Sequence, residues 1–92
     1  MLTVFKYPLQ ITGSQVIRMP TGATILSFQS QFDEPCIWAL VDSEFPEVDR
    51  EFQIIGTGHP IGEKVGKRLT YIGTIQAMSG KLIWHLFEVV ST

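Results

Sequence analysis

Cysteine is almost missing from this chain. Cys36 is the only one, so no intramolecular disulfide can form and a secreted, disulfide-stapled scaffold is excluded. A basic excess is missing too. Seven Lys and Arg stand against nine Asp and Glu, for a net charge of −2, which leaves nothing to neutralise a run of phosphates and sets aside general nucleic-acid binding. No apolar run approaches the roughly twenty residues of a membrane-spanning helix. The opening Met1-Leu2-Thr3-Val4-Phe5-Lys6 lacks the basic region, apolar core and cleavage site of a signal peptide. A reducing cytosol is the expected address, with no membrane partner.

What is present is apolar. Of the 92 residues, 45% are hydrophobic, 11% aromatic and only 17% charged. The length predicts a single domain spanning 1–92. A domain this small buries only about 60–65% of its unfolded surface, so part of so large an apolar complement is expected to meet another subunit, and a homo-oligomer is predicted. The charges are segregated. Asp42, Glu44, Glu47, Asp49 and Glu51 surround the single Arg50, whereas Lys64, Lys67 and Arg68 follow Glu63. Two solvated loops account for this most simply.

Glycine and proline punctuate the chain at short intervals, from Pro8 and Gly13 to Gly73 and Gly80, and the stretches between are rich in Val, Ile, Phe, Tyr, Trp and Thr. That pattern predicts an all-β domain, a small antiparallel sandwich or partly open barrel of about six to seven short strands. Strands are expected near 3–9, 14–19, 23–31, 35–42, 50–57, 69–78 and 81–90, with a short helical turn near 44–49 opened by Pro46. Pro35 at the start of a strand suggests an edge or a bulge. The hairpin joining 23–31 to 35–42 turns at Phe32-Asp33 or at Asp33-Glu34, and neither pair has the Gly that a primed turn prefers.

The last hairpin is the most explicit. A two-residue turn at Ser79-Gly80 pairs positions whose numbers sum to 159. Tyr71, Gly73, Ile75, Ala77, Leu82, Trp84 and Leu86 then share one apolar face, the core face, with Trp84 leaning over Gly73. Ile72, Thr74, Gln76, Met78, Lys81, Ile83, His85 and Phe87 take the opposite face. That face mixes polar and large apolar groups, and Ile72, Thr74, Gln76, Ile83, His85 and Phe87 are its candidate subunit or partner contact. The continuous apolar run Cys36-Ile37-Trp38-Ala39-Leu40-Val41 reads as a strand buried on both faces, or on one face and docked on the other, with Trp38 in the core.

Chemistry is sparse. Gly56-Thr57-Gly58-His59-Pro60 ends a strand, and a basic stretch follows. Backbone N–H groups around two glycines can form a nest for an anion, with a hydroxyl from Thr57 and charge from Lys64, Lys67 and Arg68. Gly56, Thr57, Gly58, His59, Lys64, Lys67 and Arg68 are therefore the candidate ligand-binding residues, for a phosphate or nucleotide. The motif is neither a P-loop nor a dinucleotide fingerprint, and a bulge followed by a turn explains the glycines more simply. His59 has acid–base capability but no orienting carboxylate beside it in sequence. Ile61 and Phe87 stand where a tandem-histidine phosphoesterase needs Ser or Thr. Cys36, His59 and His85 lack zinc-site spacing, and no serine lies in a nucleophile elbow. No catalytic residue, metal or cofactor is assigned.

Lys6-Tyr7-Pro8-Leu9, Met19-Pro20-Thr21-Gly22-Ala23-Thr24-Ile25-Leu26-Ser27, Pro35-Cys36-Ile37-Trp38-Ala39-Leu40-Val41-Asp42, Gly56-Thr57-Gly58-His59-Pro60-Ile61, Tyr71-Ile72-Gly73-Thr74 and Trp84-His85-Leu86-Phe87-Glu88 run in that order. Together they resemble a family of short proteins of unknown function encoded by bacteriophages and prophages. Members often carry Asn-Gly where this chain has Phe32-Asp33. The resemblance implies a bacterial host cytoplasm and no particular mechanism. The expected role is a non-enzymatic, phage-type accessory binding protein acting in counter-defence. It would sequester a small phosphorylated, nucleotide-like signal or block a host protein. The alternatives are a small phosphohydrolase using His59 and a virion or assembly component.

Overall fold

The computed structural model describes residues 1–91, and among them the chain forms seven strands and no helix. They are β1 (Leu2–Pro8), β2 (Ser14–Pro20), β3 (Thr24–Gln31), β4 (Glu34–Asp42), β5 (Glu47–Gly56), β6 (Lys67–Ala77) and β7 (Leu82–Ser91). Every pairing is antiparallel. One sheet has the order β1-β4-β3 and the other β2-β5-β7-β6. The two are not closed into a barrel. They stack as a slab of 39 × 34 × 16 Å, the thickness of two layers.

Alternation along the strands builds the core. In β4, Ile37, Ala39 and Val41 point inward and are almost fully enclosed, with Phe28 beside them on β3. Met19, Phe52, Ile54, Ile75 and Leu86 meet them from the other sheet. Cys36 and Trp38 lie on the outer side of β4, where Cys36 is buried and Trp38 half-buried. The amino group of Met1 ties the end of β1 to β4 through Asp42 Oδ1 at 3.0 Å, which holds that carboxyl below the ordinary carboxylate range.

Several expectations are corrected. The segment near 44–49 is not helical: Thr21 donates to the Pro46 carbonyl from both its backbone N and its hydroxyl, at 2.8 and 2.7 Å, and β5 starts extended at Glu47. β4 is not an edge strand but the centre of its sheet. Pro35 stands one residue beyond the last β1 pair, Pro8↔Cys36, where its carbonyl still accepts from Leu9 N at 2.9 Å and the absent N–H falls at the end of the ladder. Over Gly73 lies Phe28 of the facing sheet, 3.5 Å from where a Cβ would stand, and not Trp84.

The last hairpin has the expected register only up to its bulge. Gly73↔Leu86 through Ala77↔Leu82 sum to 159, but Tyr71↔Phe87 sums to 158. Ile72 is the extra residue, and a one-residue insertion exchanges the faces beyond it. Ile72 therefore packs against the core and leaves the outward set, while Tyr71 turns outward, 58% exposed, and meets Phe87 edge-on at 5.6 Å. Both hairpin tips use left-handed backbone. Phe32 and Asp33, flanked by the pair Gln31↔Glu34, have φ of 52° and 62°, as in a type I′ turn. Met78, Ser79 and Gly80, by contrast, are left-handed in succession, at 51°, 57° and 82°, in a connection of four residues beyond Ala77↔Leu82.

Candidate functional site

The site begins where β5 outruns β2. Pairing with β2 stops at Ser14↔Gln53, whereas β5 stays paired with β7 through Gly56↔Trp84. The preceding chain still reaches β5 once, when Ile54 N donates to Gly13 O at 3.1 Å. The Gln15 side chain fixes this stretch: its Nε2 donates to Gln10 O at 2.8 Å and its Oε1 accepts from Gln10 N at 3.0 Å. A second wall follows β5. His59 N donates to Gly56 O at 3.1 Å around Gly58, whose φ of 84° suits glycine. This turn lays the His59 ring against Gly56. A Cβ on Gly56 would come within 3.0 Å of His59 Nδ1 and 3.5 Å of Trp84 Cζ3, so glycine lets the His59 ring lie tighter than a larger residue would, while Trp84 is at ordinary contact distance.

Two clefts share the wall made by Gly56, His59 and Trp84. One, of about 300 Å³, runs from Ile11, Thr12 and Gly13 past Gln53 to Pro60 and carries no charged side chain. The other, of about 250 Å³, is bounded by Thr57, Lys81, Leu82 and Ile83. Each approaches the lower end of the range for small-molecule sites, and apolar walls with a few polar groups are typical of them. Gln53 is 7% exposed, the one buried polar side chain among the described residues, and its Oε1 makes no hydrogen bond.

A domain of unknown function, DUF7352, matches residues 1–92. The chain belongs to this family. No curated protein and no solved structure matches it.

In this DUF7352 domain the candidate residues named from sequence divide. Gly56, Thr57 and His59 come together at the clefts, and Gly58 makes the turn between them. Lys64 and Lys67 line neither cleft: their Nζ atoms approach Glu51 at 3.8 and 3.6 Å, and Ser14 Oγ donates to the same carboxylate at 3.0 Å. Arg68 is exposed on β6, outside both clefts. Thr74, Gln76, Ile83, His85 and Phe87 share the outward face. There Tyr71 Oη and Thr74 Oγ1 share a hydrogen bond of 2.6 Å, Thr74 Oγ1 and His85 Nδ1 one of 3.0 Å, and His85 Nε2 and Thr57 Oγ1 one of 2.7 Å. This chain of hydroxyls and imidazole fixes Thr57 at the lip of the second cleft.

Among the described residues no carboxylate pairs with His59, and no three metal-ligating side chains stand close enough to hold an ion. Gln53, Trp84, Lys81 and the 11–13 wall were not singled out from the sequence as site residues. By alternation Gln53 reads as a solvated residue between Phe52 and Ile54; only the long-range approach of 11–13 to β5 encloses it.

Proposed function

We propose that this DUF7352 chain is a non-enzymatic binding protein for a small nucleotide-like anion, seated across His59 with its neutral ring in the first cleft and its anionic group in the second. The pairing of clefts supports this most directly. The two share one wall of Gly56, His59 and Trp84, one is lined without charge, and the other holds Lys81 and the Thr57 hydroxyl. A heteroaromatic ring stacks on flat apolar side chains, and a phosphate accepts from ammonium and hydroxyl donors. The isolation of His59 supports binding over turnover, because acid–base catalysis needs an oriented base within reach of the reacting group. The cluster at Lys64, Lys67 and Arg68 is better placed to attract an anion over distance than to hold it.

The biological setting we propose is that of a phage accessory protein in a bacterial host cytoplasm, acting as a homo-oligomer that removes a defence signal by sequestration. Native mass spectrometry of the protein purified from infected, defence-active bacteria tests this. Small-molecule mass retained on a discrete oligomer is the expected result, with the ligand recovered chemically unchanged after long incubation. Turnover of the ligand moves the assignment to a phosphohydrolase using His59. A bound host protein moves it to blockade through the outward face of β6 and β7, and very large assemblies move it to a virion component.

A further inference from the structure

We infer that Gln53 is the specificity-determining residue of the first cleft, and that it selects a planar ring carrying an N–H donor beside an acceptor on one edge. The inference rests on the reading of the clefts as a ligand seat and names the chemistry of its neutral half. It starts from an anomaly. Buried polar groups are almost always hydrogen-bonded, yet Oε1 of Gln53 is enclosed without a partner in a side chain only 7% exposed. Nothing in the packing asks for a polar group: Phe52 and Ile54 precede and follow it, both buried, and Ile55 on its own outward row is buried too. An apolar residue of the same size would leave no acceptor unpaired and is the more stable choice.

The carboxamide is not remote from the cleft. It forms part of the wall, and its Nε2 lies 3.3 Å from where a Cβ on Gly13 would stand. A carboxamide presents one acceptor and a pair of donors side by side. Oε1 is closed off from solvent in the free protein, so the proposed contact includes a rotation of the terminal carboxamide toward the cleft. There it satisfies and is satisfied by an edge that offers the complementary pair. The amidine edge of adenine, the lactam edge of uracil and the primary amide of nicotinamide share that chemistry. The remaining walls suit a ring: Trp84 and His59 contribute aromatic rings, Ile11 and Pro60 apolar side chains, and no Lys, Arg, Asp or Glu lines the cleft. Recognition by a buried hydrogen-bonding group discriminates strongly, because a ligand lacking the edge leaves the protein group unpaired.

The test compares wild type with Gln53→Leu and Gln53→Met, using free adenine, uracil, nicotinamide and inorganic phosphate as separate probes, with affinity read by NMR titration and stability by thermal unfolding. The expected result is that wild type binds at least one ring, that both variants bind it about tenfold or more weakly, and that their Tm is unchanged or raised by a few degrees. Which ring binds names the edge. Undiminished ring binding by the variants overturns the inference, as does a lowered Tm in both, which would make Gln53 a structural residue. Phosphate binding by a wild type that binds no ring also overturns it, while leaving the anionic seat of the proposed function in place. Ring binding without phosphate binding does the reverse, sustaining the role of Gln53 and removing the anionic half.

Discussion

Arg50 closes one end of the sandwich with a single side chain. Its Nε and Nη2 each donate to a carboxylate oxygen of Glu88 at 2.7 Å, and Nη1 donates to the carbonyl of Ala23, ahead of β3. The two side chains are only 20% and 15% exposed, and Glu88 holds the guanidinium even more firmly protonated than usual. Removing one partner strands the other charge in a half-buried place. Arg50→Met is therefore expected to cost about 2–4 kcal/mol in urea denaturation, and Arg50→Met with Glu88→Leu to recover most of that. At Gly56 the expected effect lies on binding instead. Gly56→Ala changes stability by no more than about 1 kcal/mol, but crowds the His59 ring at 3.0 Å, displaces it slightly along the shared wall and weakens any ligand that spans the clefts, as calorimetric titration would show. The glycines illustrate how far single residues were legible. That Gly73 and Gly56 leave room for an aromatic ring follows from the missing Cβ. Which ring fills each space does not, because Phe28 arrives from the facing sheet and Trp84 from the paired strand, and sequence alone cannot rank those approaches.

Among elements, turns carry the local information. The Ser79-Gly80 turn sets its register by itself, since Lys81 N donates to Met78 O at 3.2 Å across two left-handed residues. The Phe32-Asp33 turn is tighter, two left-handed residues between the paired Gln31 and Glu34, and has no glycine, so neither residue signals it. Phe32 is 95% exposed and gains no packing there, and an L residue held left-handed costs about 1–2 kcal/mol. Phe32→Asn, which suits that backbone better, is expected to raise stability by about 1 kcal/mol in chemical denaturation. No rise would mean that the Phe32 ring has a partner in the folded protein. The bulge at Ile72 was hidden for a different reason. Alternation alone places Tyr71 inward with Gly73, and both Tyr71 and Ile72 suit a strand. The inward turn of Ile72 reflects the space left in the core, a tertiary constraint that overrides local pattern.

At the scale of the molecule, the class of fold was readable and the strand order was not. The two hairpins, β3–β4 and β6–β7, are local and show in turn chemistry. β1 with β4, β2 with β5, and β5 with β7 join strands distant in sequence, and only their mutual burial selects those partners. The candidate site arises from that nonlocal assembly. It exists because β5 is longer than β2, so the 11–13 wall, the 56–60 turn and Trp84 meet at one corner. Segment 56–60 was visible as a motif, and the rest of the corner was not.

The most direct test of the account is backbone and indole chemical-shift mapping of the isotope-labelled protein during titration with nucleoside monophosphates. The account predicts saturable shifts concentrated at Gln53, Gly56, Thr57, His59 and the Trp84 indole, with the ligand unchanged at the end. Absence of shifts at these residues up to millimolar ligand, or shifts confined to Tyr71, Ile83 and Phe87 on the outward face, would contradict it.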